Sequence, residues 1–213
     1  MTMFEPATLT AAATELPTQW LLARASGLLA YTMLTLTVVA GLTLRARLLG
    51  RVVSPKIVTA IHRTLSFVGF GALALHAMLL VLDTSVDVPL VAVFIPGLAG
   101  YRTLATSLGV VAAELWLLIH LSFRLRRRIG VARWRALHML SFPTWGLAAL
   151  HGIFAGSDSG QPWVQQMYVV SIVTVLFLVV VRSGSRAARR PGRAASPASS
   201  TRHPSSPSAA NAA

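Results

Sequence analysis

The segment Ile57 to Leu82 constrains this chain most, because it is an apolar run of membrane-crossing length that nevertheless contains two histidines, His62 and His76. They are separated by 14 residues (76 − 62), which on an α-helix is about 21 Å of rise and close to four whole turns. Both imidazoles therefore fall on one face, one near each side of a bilayer. Gly69 lies seven residues from each on that same face, where a missing side chain would let something broad and flat lie against the backbone. A second run, Ala136 to Ala155, repeats the design with His138 and His151, 13 residues apart (151 − 138). On an ideal helix that spacing leaves the second ring rotated by about 140° from the first. Pro143 and Gly146 lie between them, and a bend or π-bulge there would restore the alignment.

The solvent follows from composition. Of 213 residues, 54% are hydrophobic and 12% charged, and several windows of about 20 residues are nearly free of charge, the length needed to cross a hydrocarbon core of about 30 Å. Five spans are expected: Trp20 to Leu44, Ile57 to Leu82, Leu104 to Phe123, Ala136 to Ala155 and Trp163 to Val181. The fold class is an all-α integral membrane bundle. Residues 1–19 form a mildly acidic lead with Glu5 and Glu15 and no basic n-region, unlike a cleaved signal peptide. Residues 183–213, rich in Ser, Ala, Pro and Arg, read as a disordered cytoplasmic tail. Val88 to Gly100 is apolar but broken by Pro89, Pro96 and Gly97, which makes it a lid or re-entrant segment rather than a span.

The formal net charge of +13 would suggest nucleic acid in a soluble protein, but here the cations sit between apolar runs and in the tail, as topology signals. Arg45, Arg47, Arg51 and Lys56 follow the first span, Arg124, Arg126, Arg127, Arg128, Arg133 and Arg135 follow the third, and Arg182 ends the fifth. The acidic loops, with Asp83 and Asp87 and then Asp158, follow the second and fourth. The positive-inside rule then places the N-terminus outside and the C-terminus in the cytoplasm of a multi-pass cell-membrane protein. Spans two and four run in the same direction, so His62 is level with His138 and His76 with His151.

Ionisable residues inside spans are costly and default to functional candidates. A lone histidine reads as a helix–helix hydrogen-bonding group; four in two level pairs read as ligands. Imidazole suits iron, copper and zinc alike, but no carboxylate or thiolate completes a small-ion site near either pair. There are no cysteines, which excludes disulfides, iron–sulfur clusters and covalent c-type haem. The expectation is two b-type haems, each on two histidines: His62 with His138 for an inner site, His76 with His151 for an outer one. A proton or metal transporter that uses histidines as relays is the alternative of another class.

These residues carry a resemblance. The spacings of 14 and 13, with "WRALHMLSFPTWGLAALHGIFAGSDSGQPW" (Trp134 to Trp163) and "WLLARASGLLAYTMLTL" (Trp20 to Leu36), resemble the ferric-reductase-like transmembrane domain, the superfamily of NADPH oxidases, eukaryotic ferric reductases and the membrane subunit of the bacterial methionine sulfoxide reductase system. The resemblance covers residues 20–182 and implies a cytochrome b-like di-haem core, with the family's haem-ligating histidines falling on His62, His76, His138 and His151. It also implies an outer-haem propionate contact for Arg24, for which snorkelling is the other reading. Arg63 and Arg135, near the inner histidines, read either as propionate partners or as members of the positive-inside set. Glu114 is the only carboxylate at membrane depth and reads as a proton or quinone-site group or as a protonated structural residue. His120 reads as interfacial, and Trp145 as core or as a bridge between the haems. His203, in the tail, has no assigned role.

The departure from the family is after Arg182, where no Gly-rich phosphate loop follows a strand. Hydride chemistry is therefore expected to lie outside this polypeptide. The electron donor would be a cytoplasmic flavoprotein, or alternatively a quinol, and the acceptor extracytoplasmic: a ferric chelate, oxygen or a partner redox protein.

Overall fold

The structure, a computed structural model, describes residues 18–46, 53–83, 86 and 88–187. The acidic lead with Glu5 and Glu15, the loop cations Arg47 and Arg51, Asp87, and the tail beyond residue 187 with His203 lie outside the described residues. What is described is helical throughout, with no strand: α1 (Thr18–Ala46), α2 (Pro55–Leu82), a 3₁₀ turn (Leu90–Val93), α3 (Thr103–Ile129), α4 (Val131–His138), α5 (Ser141–Ala155) and α6 (Pro162–Ala187). Four of these, α1, α2, α3 and α6, are long and apolar enough to cross a membrane.

The expected fourth span is the exception. It is not one helix but two, broken at Met139 and Leu140. Pro143 supplies the reason: without an N–H it cannot bond the carbonyl four residues back, and its ring crowds that carbonyl. That carbonyl belongs to Met139, which instead accepts from Phe142 N at 3.3 Å. The break falls between His138 and His151, and Met139 and Leu140 within it keep right-handed helical dihedrals, φ −69°, ψ −16° and φ −63°, ψ −12°. Two boundaries also move. Helix α3 continues past Phe123 to Ile129, so Arg124, Arg126, Arg127 and Arg128 are helical, and α6 runs to Ala187 rather than stopping at Arg182.

Local chemistry fixes the ends. Ser54 caps α2, accepting from Ile57 N at 3.4 Å, with Pro55 in the first turn, where a missing N–H costs nothing. Gly130 joins α3 to α4 at φ 81°, a conformation that favours glycine. Tyr101 Oη donates to the Ala155 carbonyl at 3.1 Å and Arg102 Nη1 to the Phe154 carbonyl at 2.7 Å, satisfying the last carbonyls of α5. These bonds tie the start of α3 to the end of α5.

Helix α1 is central, packing most extensively on α2 and also on α5 and α6, while α3 packs on α5 and α4. The main core joins Tyr31, Leu34, Val38 and Leu42 of α1 to Ala72, Trp116, Trp145, Ala149, Tyr168, Val175 and Leu178. Polar atoms within it are paired: Tyr31 Oη bonds Ser171 Oγ at 2.5 Å and Trp145 Nε1 donates to Thr35 Oγ1 at 3.0 Å. The segment after α2 folds as a small cap in which Val88, Ala92 and Ala99 pack with Leu80 and Val86.

Candidate functional site: two facing histidine pairs

The ring of His62 on α2 faces that of His138 at the end of α4, with centroids 6.1 Å apart and planes at 61°. The ring of His76, at the other end of α2, faces His151 on α5, at 6.3 Å and 71°. Edge-to-face packing of aromatic rings covers the same range of distances, so the spacing alone does not define what the pairs do. The hydrogen bonds behind the rings say more.

Three of the four histidines are seated by one local device. His62 Nδ1–H donates to the Thr37 carbonyl at 2.9 Å, His76 Nδ1–H to the Ala23 carbonyl at 2.7 Å, and His151 Nδ1–H to the Ala105 carbonyl at 2.8 Å. Four residues beyond each accepting carbonyl on its helix is a glycine under the ring: Gly41, Gly27 and Gly109. In an α-helix the carbonyl of residue i already bonds the N–H of residue i+4. A second donor reaches it across residue i+4, and glycine leaves the room. A Cβ at these positions would lie 3.4 Å from the His62 ring, 3.0 Å from the His76 ring and 2.6 Å from the His151 ring.

The consequence is a fixed tautomer. A carbonyl only accepts, so Nδ1 carries the proton and Nε2 of the neutral ring keeps its lone pair. Imidazoles that ligate metals are oriented in this way, with the far nitrogen anchored to an acceptor. His138 is held differently: its ring stacks on Trp134 at 5.4 Å and 26°. Trp134 in turn meets Phe123 edge-on at 5.4 Å and lies under the Arg126 guanidinium at 4.5 Å. The Trp134 Nε1–H is buried with no acceptor among the described residues.

The His76/His151 pair opens on a mostly apolar cavity lined by Gly27, Gly109, Trp20, Arg24 and Tyr101, with Val88, Ala92 and Val93 of the cap along it. The cap thus borders the His76/His151 pair. Between the two histidine levels lie Trp145 and Trp116, both buried. Among the described residues no group of three or more His, Cys, Asp or Glu side chains is arranged to hold a bare metal ion.

Other expected site residues fall elsewhere. Gly69 does not face a slot: its open side is filled by Met33 and Trp116, and a Cβ would sit 2.8 Å from Met33 Cβ and 2.9 Å from the indole. Its role is close packing of α1, α2 and α3. The guanidinium of Arg24 forms a two-pronged ion pair with Asp158, in the loop between α5 and α6. Arg63 and Arg135 are exposed, and so is Glu114. His120 Nδ1–H donates to the Trp116 carbonyl at 3.0 Å, and its Nε2 accepts from Ser66 Oγ at 3.2 Å while its ring stacks on Phe70. Its second nitrogen is thus occupied by a neighbouring helix.

No known protein family, curated protein or solved structure matches this chain.

Proposed function

We propose that the chain is a transmembrane b-type cytochrome of the ferric-reductase-like kind, with two haems on His62/His138 and His76/His151, passing electrons from a cytoplasmic donor to an extracytoplasmic acceptor. The single observation that carries this reading is the repeated glycine and carbonyl seat, which presents the lone pair of Nε2 from His62, His76 and His151. His62 with His138 and His76 with His151, whose ring centres stand 6.1 and 6.3 Å apart, would each hold one haem. The pairing of two imidazoles per level, with no third side-chain ligand among the described residues, suits a haem.

The residues divide the work as follows. The histidines hold, the seats fix their rotation and tautomer, and the apolar lining excludes water. The orphaned Trp134 Nε1–H suits an acceptor on a bound group at the inner level. Bound haem supplies one-electron transfer. A proton relay fits the seats poorly, since an Nδ1–H tied to a main-chain carbonyl cannot exchange its proton along a chain of side chains.

The arginine-rich end is read as cytoplasmic by the positive-inside rule, with the chain crossing five times, the fourth by way of α4 and α5. A basic inner surface favours an acidic flavoprotein donor. Glu114 favours the second reading, a quinol donor, because its exposure on α3 puts a carboxylate where a lipid-soluble reductant could reach it. A reduced-minus-oxidised spectrum of the purified protein tests the haem proposal: a b-type spectrum with two haems per chain is expected, and a colourless protein after haem supplementation overturns it. Following haem reduction with a flavin reductase, then with a quinol, separates the two donors.

A further inference from the structure

The basic segments of the sequence contain no carboxylate side chain. Residues 44–56, 124–137 and 182–213 together lack any Asp or Glu, although six arginines fall between Arg124 and Arg135 alone. The nearest acidic side chain along the helix is Glu114, ten residues before Arg124, or about 15 Å of rise. The ion pair of Arg24 with Asp158 belongs to the opposite end of the bundle. The guanidinium groups on the α3–α4 elbow have no ion-pair partner among the described residues.

They are also shaped around a space. Phe123, Arg124, Arg126, Arg127, Gly130 and Val131 line an open groove at the elbow. Arg126 is steadied over the Trp134 ring, and Gly130 gives the turn its angle. Leu121 and Leu117, three and seven residues before Arg124 and so on its face of α3, are exposed, and Phe123 is 54% exposed. Cations at the end of an exposed apolar face match a molecule with an anionic head and apolar tails.

We infer that the α3–α4 elbow is a binding site for one anionic phospholipid, its phosphate among Arg124, Arg126 and Arg127 and its acyl chains along Leu121 and Leu117. All three cations are arginine, whose planar fork bonds phosphate oxygens in pairs, and juxtamembrane cations attract anionic headgroups generally. The exposed Leu117 and Leu121 on the face of Arg124 favour a lipid over free phosphate. The inference needs the membrane reading but not the haems.

The test is native mass spectrometry of the full chain, released from nanodiscs of mixed phosphatidylglycerol and phosphatidylcholine. At least a roughly tenfold preference for one retained phosphatidylglycerol is expected, with each pocket arginine worth about fivefold. The R124Q/R126Q/R127Q variant should lose the preference, while R133Q/R135Q, outside the pocket, should keep it. Should the triple variant fail to fold, Arg127→Gln alone is expected to lower retention about fivefold. Equal retention of both lipids, equal loss in R133Q/R135Q, or displacement of the lipid by millimolar inorganic phosphate would each overturn the site. So would pocket variants that keep the lipid while losing affinity for an acidic flavoprotein, which would make the elbow a protein-docking face.

Discussion

Gly109 lies so close beneath His151 that a β-carbon there would come within 2.6 Å of the ring nitrogen that bonds the Ala105 carbonyl. The same relationship holds for Gly27 and His76 at 3.0 Å and for Gly41 and His62 at 3.4 Å. These distances rank a mutational series. Gly109→Ala is expected to expel the His151 ring from its seat and remove the outer haem, and Gly27→Ala to weaken that site. Gly41→Ala should leave the inner haem intact and gain the roughly 0.5–1 kcal/mol that alanine has over glycine within a helix. Haem content per chain and thermal stability, measured across all three, check the order; a uniform response would break the link between the seats and the ligands.

Removing ligands one at a time should separate the sites. His76→Ala and His151→Ala are expected to delete the same spectral component, and His62→Ala and His138→Ala the other. Low-temperature optical spectra and redox titration read this directly. Loss of both components from every single variant would show that the pairs do not act as independent levels.

Asp158→Asn should loosen the loop between α5 and α6 by releasing Arg24 from its two-pronged pair. The pair is partly solvated, which limits the cost to about 1–2 kcal/mol. The outer site, whose cavity both residues line, should exchange haem faster in the variant, while the inner site keeps its rate. Haem transfer to apomyoglobin at matched protein stability measures both.

Gly69→Ala is expected to overpack the contact with Met33 and Trp116, at a cost of about 1–3 kcal/mol. It should lower the unfolding temperature without shifting either haem spectrum. A selective spectral change would instead restore the expectation of a flat group against that glycine.

How far the sequence carried the reading differs from residue to residue. The helical, membrane-spanning class and the candidate histidines follow from hydropathy and from a period that one segment contains by itself. The seats were visible only as a coincidence: Gly27 and Gly41 are 14 apart, as are His76 and His62, and the match acquires meaning once α1 and α2 are known to pack antiparallel. Gly69 misled because what fills its open side, Trp116, arrives from a helix more than 40 residues away. Pro143 announced a disturbance, and its effect fell at Met139, where the carbonyl it cannot bond is placed. The pairing of Arg24 with Asp158 was hidden for the same reason as Trp116, since nothing local joins residues 134 positions apart.

The break at Met139 and Leu140 bears on how the protein is made. Helix α5 has 15 residues, about 22 Å of rise, against the roughly 20 residues that a bilayer core requires of a self-sufficient insertion signal. It is therefore a poor passenger for the insertion machinery by itself. Its neighbour α3 is long and apolar and is already synthesised when α5 emerges, and the Tyr101 and Arg102 bonds to the end of α5 close the two into a hairpin. Entry of that hairpin as one unit, with a thinned patch of bilayer around the short arm, would make the second half of each histidine pair the last part of the bundle to reach its place.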